Sequence, residues 1–231
     1  MNGEIASILD ASKAHGWVLE PDAKRLFGIA GFDVPRSAVA RDIADALAAA
    51  REIGWPVVAK VVSPAIVHKS DVRGVVTGIS GDARLEEEAA RLLSIPGCEA
   101  VLVEEMVSGL ELILGGTIDE QFGPMVLFGM GGVGVEIYRD TSIRMAPVER
   151  RDVDEMISEL RAKRLLEGYR GSAPIDREKL ADMVVRFSRL LVEMQDRIES
   201  IDLNPVICTA ERCVVADARI ILAAGGAPKI H

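Results

Sequence analysis

Lys60, set in a run of apolar residues, and His68, eight positions on, are residue types that can grip and carry a phosphoryl group. Val57, Val58, Ala59, Val61 and Val62 surround the lysine, and Pro56 and Pro64 bound the run. The spacing predicts a short buried strand bearing one charge. Such a lysine either snorkels outward to solvent or needs an anionic partner. His68 follows in a polar loop with Lys69, Ser70, Asp71 and Gly74. A neutral imidazole is a competent nucleophile toward phosphorus, and Asp71 can fix its tautomer or accept its second N–H. Taken alone, an exposed loop histidine needs no function.

A second constellation stands near the C-terminus. In Ile201-Asp202-Leu203-Asn204-Pro205-Val206, Asp202 and Asn204 fall on one face of a strand, and Asp217 follows on its expected hairpin partner. Three converging oxygen donors suit a hard cation such as Mg²⁺ that also takes phosphate oxygens; an Asx-turn network would satisfy them equally. A third set is Glu104, Glu105 and Glu111. Alternation sends Glu104 and Glu105 to opposite faces, so one of them can enter a cleft, where a strand end can act as a hinge reading an adenine edge or a ribose. The other reading is an edge strand with solvated charges.

Two nucleotide motifs are set aside. Gly129-Met130-Gly131-Gly132-Val133-Gly134 matches G-x-G-x-x-G, but the residues after it are strand-like where a dinucleotide fingerprint needs a helix. Lys69-Ser70 lacks the preceding glycine of a P-loop. These glycines better serve close backbone approach to a phosphate or a tight strand connection.

The elements that must position these groups are legible in outline. Helical spacing predicts helices over 4–15, 20–31, 42–53, 83–93, 149–160 and 176–198, the last with Leu180, Met183, Val184, Phe187, Leu190, Leu191 and Met194 on one face. Strands are expected at 32–40, 56–62, 74–79, 100–106, 110–118, 124–130, 133–138, 142–145, 200–208 and 213–222, with Gly and Asp punctuating antiparallel connections. The pattern is α+β, read as two lobes sharing a cleft: 36–105, and 1–35 with 106–231.

With 231 residues, 49% of them hydrophobic, the chain has ample material for a core. Aromatics at 4% and a net charge of −9 leave neither the stacking platforms nor the basic field of a nucleic-acid binder. Three cysteines, Cys98, Cys208 and Cys213, have no C-x-x-C spacing, which argues against a disulfide framework or zinc site. No apolar run reaches membrane-span length and residues 1–10 lack a signal-peptide pattern, so a cytoplasmic location is expected.

Together these segments resemble the ATP-grasp β subunit of the nucleoside-diphosphate-forming acyl-CoA synthetases, the group of ADP-forming acetate–CoA ligase, related to succinyl-CoA synthetase. The resemblance runs from Glu20-Pro21-Asp22-Ala23-Lys24 to Asp217-Ala218-Arg219-Ile220 and is most specific in S-P-A-I-V-H-K-S-D-V at 63–72, F-G-P-M-V-L-F-G-M-G-G at 122–132 and I-D-L-N-P-V at 201–206. It implies an ATP-grasp fold, ATP or ADP with Mg²⁺ as ligands, and a CoA-binding α subunit, in an α2β2 assembly. The partner forms an acyl phosphate whose phosphoryl group passes through histidine to ADP. By the resemblance His68 is the mobile phosphohistidine and Lys60 the phosphate-binding lysine. Glu104, Val107 and Glu111 match hinge and ribose positions, and Gly131 and Gly132 the glycine pair near the phosphates. Asn204 and Asp217 match metal ligands, with Asp202 alongside. One departure stands out: Arg73 occupies a position where the related loop usually has glycine.

Two other readings compete. An ATP-grasp carboxylate–amine ligase would make acyl phosphate directly from ATP and need no histidine. A non-catalytic nucleotide-binding module would bind ATP without forming a phosphoprotein.

Overall fold

A computed structural model describes residues 1–66, 68–132, 140–169 and 171–223. The chain divides into two compact units, one of residues 35–107 and one of residues 1–34 with 108–231. In chain order the elements are α1 (Gly3–Ala11), β1 (Trp17–Val18), α2 (Glu20–Ile29), β2 (Ser37–Ala40), α3 (Ile43–Ile53), β3 (Val57–Val62), β4 (Val75–Ile79), α4 (Asp82–Leu93), β5 (Ala100–Glu105) and β6 (Leu110–Asp119). They continue with β7 (Gly123–Met130), β8 (Thr141–Met145), α5 (Arg150–Glu159), α6 (Arg177–Met194), β9 (Ile198–Cys208), β10 (Cys213–Val215) and β11 (Arg219–Leu222).

The smaller unit is a four-stranded antiparallel sheet in the order β2-β5-β3-β4 with α3 and α4 on one face. Helix α3 starts where the Asp42 carboxylate accepts from the Asp45 amide at 2.8 Å, a cap worth about 1 kcal/mol. Ala46, Ala49, Ala50 and Ile53 then lie on Val57, Ala59, Val101 and Val103 of the sheet. The alternate residues of β3 are buried as well, so the strand carries no solvent-facing side.

The larger unit is built on an antiparallel sheet in the order β1-β11-β9-β6-β7-β8, with β10 also paired to β9. Helix α6 lays Leu180, Met183, Val184, Phe187, Leu190, Leu191 and Met194 into the core that includes Leu112, Leu114, Val126 and Phe128. Its N-terminus is capped by Asp176, whose side chain accepts from the Lys179 amide at 3.0 Å.

Three expectations need correction. The strand expected over 32–40 is confined to Ser37–Ala40, because Phe32 is buried in the core of the larger unit and the smaller unit begins at Pro35. The helix expected over 176–198 ends at Met194, because Ile198 continues the apolar period but opens β9 and pairs with Leu222. The strand expected over 213–222 is broken into β10 and β11: the amides of Ala216 and Asp217 turn to the Pro205 carbonyl, at 3.0 and 3.4 Å, instead of continuing the ladder. The strand expected at 133–138 falls outside the described residues. Within the described residues, no helix is long and apolar enough to cross a membrane.

Candidate functional site

In the smaller unit the charge on β3 has its partner one strand away. Lys60 faces Leu102 and Glu104 faces Val58 in the β3–β5 register, so the two charged residues are diagonal neighbours on one face of the sheet. Lys60 Nζ lies 2.9 Å from Glu104 Oε2, and the two residues are only 6% and 2% exposed. Burial of either charge alone would be costly, and the pair removes that cost. The structure therefore directs the Glu104 carboxylate at Lys60. Glu105, on the opposite face, pairs with Arg36 at 3.3 Å.

His68 stands exposed just before a single 3-10 turn, Lys69–Val72. Its link to Asp71 runs through the backbone: the Asp71 amide donates to the His68 carbonyl at 3.3 Å. The turn closes through the amides of Arg73, on Ser70 at 3.1 Å, and of Gly74, on Lys69 at 2.7 Å. The Gly74 carbonyl then accepts from Val61 at 2.8 Å, tying the end of the loop to β3. Val107 is half-buried in the connection after β5.

In the larger unit, Glu111 sits exposed on β6 between the buried core residues of that strand and the end of β7. The Gly131 amide donates to the Glu111 carbonyl at 2.8 Å. A Cβ on Gly131 would lie 2.7 Å from the Glu111 carbonyl carbon and from the Leu112 nitrogen, so only glycine fits this approach. Gly132 has φ +73°, and a Cβ there would come 2.8 Å from Glu111 Oε2. Glu111, Gly131 and Gly132 thus form one packed group.

The oxygen donors gather two strands across. Ile201 and Leu203 point into the core, which leaves Asp202 and Asn204 on the other face of β9. At Asn204 the β6–β9 register slips between Leu112 and Leu114, and the Asn204–Pro205 bond is cis. The displaced Pro205 carbonyl accepts the Asp217 amide, which anchors Asp217 across from Asn204. Burial raises the Asp202 carboxyl above the ordinary aspartate value; Arg219 opposes the rise and the like charge of Asp217 adds to it. Arg219 is the direct register partner of Asp202, with Nη2–Oδ2 at 3.4 Å.

Arg219 was not among the sequence candidates. Its position two residues beyond Asp217, hence on the same face, is the signal that could have found it.

The donors fit a hard divalent cation. They are two carboxylates whose mutual repulsion a cation would relieve and one amide oxygen, a small set of the kind Mg²⁺ accepts alongside water and phosphate oxygens. Among the described residues, no group of three or more His, Cys, Asp or Glu is placed to hold a metal.

Residues 10–222 match the ATP-grasp domain family, and the chain belongs to it. Within that family the similarity is to a defined group. The β subunit of ADP-forming acetate–CoA ligase I from Pyrococcus furiosus is 39% identical over 224 residues, covering 93% of this chain and 96% of that one. ADP-forming acetate–CoA ligase I of Archaeoglobus fulgidus is 44% identical over 83% of this chain, a match that takes up only 29% of its length. Among solved structures, acetyl-coenzyme A synthetase 1 of Ca. Korarchaeum cryptofilum superposes with a TM-score of 0.83 at 39% identity, over 95% of this chain and all of that one. That structure holds coenzyme A and Mg-AMPPCP, with its phosphohistidine segment pointing toward the nucleotide-binding site.

Proposed function

We propose that this chain is the nucleotide-binding β subunit of an ADP-forming acyl-CoA synthetase of the acetate–CoA ligase type. The reaction interconverts acyl-CoA, ADP and phosphate with the carboxylic acid, CoA and ATP, by way of phosphohistidine at His68. The observation that carries this reading is the near end-to-end similarity to a free-standing β subunit of that activity.

The roles follow from the chemistry of each group. Phosphoryl transfer needs in-line positioning and neutralisation of charge spread over phosphate oxygens. Lys60, held rigid in β3 by Glu104, is a fixed cation for a phosphate. Gly131 and Gly132 let the backbone approach phosphates, and Val107 and Glu111 serve the adenine and ribose ends. Asn204 and Asp217, with Asp202, would hold Mg²⁺, which when bound neutralises charge on the phosphate oxygens. In the direction of histidine phosphorylation, the lone pair of the unprotonated ring nitrogen of His68 forms the N–P bond. The β–γ P–O bond breaks with its electrons leaving on ADP, and the proton on the other ring nitrogen stays in place. The reverse transfer makes ATP.

A CoA-binding α partner completes the enzyme, as an α2β2 assembly. The Archaeoglobus relative supports the need for a further component, since its single chain is more than three times the length matched here. The test is reconstitution with that partner. The pair should form ATP from acyl-CoA, ADP and phosphate, and His68→Ala should abolish the reaction. Full activity in the lone chain, or in the His68→Ala pair, would overturn the assignment.

A further inference from the structure

Arg73 is the one non-glycine among the described residues with a positive φ, at φ 50° and ψ 40° in the left-handed region. It ends the turn that His68 begins. The amide of Gly74 reaches back to the Lys69 carbonyl while that of Arg73 reaches Ser70, the paired bonds of a Schellman closure, whose left-handed position is normally glycine. An L side chain there is disfavoured by contact between its Cβ and the backbone. The neighbouring glycine cannot trade places with it, because a Cβ at 74 would fall 2.5 Å from Val61 Cγ1 and 3.0 Å from the Lys69 carbonyl oxygen. The chain therefore keeps a strained arginine where glycine would relax the turn, and a backbone outlier of this kind is grounds for assigning function.

The guanidinium is also uncommitted. Arg73 is exposed, and among the described residues no carboxylate or carbonyl takes it up. That is notable in a chain with 36 acidic residues and a net charge of −9. The Gly74–Lys69 bond folds the arginine end of the turn back toward its start, where exposed His68 lies, and the bond from Val61 to Gly74 fixes that end to β3.

Resting on the reading of His68 as the phosphoryl carrier, we propose that Arg73 is a phosphoryl-binding residue. Its guanidinium receives the oxygens of the phosphoryl group on His68 in charge-assisted, bidentate hydrogen bonds. A phosphoryl group on imidazole is dianionic and presents three acceptor oxygens, which a planar, permanently charged fork matches better than a lysine does.

The consequence is that stability and activity move in opposite directions. Arg73→Gly and Arg73→Asn both suit the left-handed backbone and remove the charge, whereas Arg73→Lys keeps the charge and the strain. The chain is incubated with γ-labelled ATP and Mg²⁺; initial labelling of His68, the lifetime of the phosphohistidine after removal of nucleotide, and the melting temperature are measured. Glycine should raise the melting temperature by roughly 2–4 °C. Glycine and asparagine should each slow labelling or shorten the phosphohistidine lifetime by about ten- to a hundred-fold, the range for hydrogen bonds to a charged group. Lysine should recover much of that loss. Labelled wild type with glycine and asparagine variants equally fast and equally long-lived would overturn the assignment of Arg73 alone. Wild type that takes no label at His68 would overturn it together with the function proposed above.

Discussion

Replacing Lys60 by methionine keeps much of the side-chain volume and removes the charge that answers Glu104. Coulomb's law across 2.9 Å at an effective dielectric of about 20 gives roughly 6 kcal/mol of attraction, most of which is offset by desolvating the two groups. The single substitution reads a different quantity, the cost of leaving a carboxylate that is 2% exposed without its lysine, about 3–5 kcal/mol. Lys60→Met/Glu104→Leu removes both charges and should recover most of that loss, since a well-packed apolar pair often matches a buried ion pair. The fold supplies its own reporter. Trp55 packs against the core of the smaller unit and Trp17 belongs to the larger one, so a Trp17→Phe background makes urea unfolding of the smaller unit visible alone. With a slope of about 1–3 kcal/mol per molar urea, the midpoint of the single variant should fall by at least about 1 M. A single variant as stable as the parent, or a double variant no better than the single, would refute the claim that this ion pair holds Lys60 in place. Both variants should lose ATP binding, because the phosphate cation is gone.

Asp202 gives a pH signature. Burial raises its carboxyl in the folded state, so the folded chain binds its proton more tightly than the unfolded chain and stability falls as pH rises from about 4 toward the raised folded value. Asp202→Asn should lack that decline, which melting curves recorded across the acidic range would detect. Asp217→Asn and Asn204→Ala should weaken ATP binding by about tenfold with Mg²⁺ present and much less in EDTA, measured by calorimetry; equal losses in both conditions would argue against a cation at these donors. Phe187→Ala, at a fully buried position on α6, should destabilise the larger unit by about 3–5 kcal/mol in denaturant unfolding.

The parts that were readable in the sequence are those set by local pattern. The apolar run around Lys60 predicts β3 but leaves two fates open for the charge, snorkelling to solvent or meeting an anion, and the structure has the second. The identity of the partner was not readable, because Glu104 meets Lys60 only through the β3–β5 register, which no single strand encodes. Alternation placed Asp202 and Asn204 on one face of β9, as the structure has them. The step that brings Asp217 to them depends on the register slip and the turned Pro205 carbonyl, neither of which has a periodic signature. Ile198 shows the opposite case: its spacing suits helix α6, and pairing with Leu222 overrides that preference. Arg73 was visible as an unusual residue, but its left-handed backbone emerges only from the closure of the turn.

The central claim, that His68 carries a phosphoryl group, is tested most directly by incubating the chain with γ-labelled ATP and Mg²⁺ and locating the label by peptide mapping. The expected result is one acid-labile, alkali-stable phosphoryl group on His68, absent in His68→Ala, a variant whose exposed position should leave the melting curve almost unchanged. Nucleotide binding with no phosphoprotein, or label retained in His68→Ala, would contradict it.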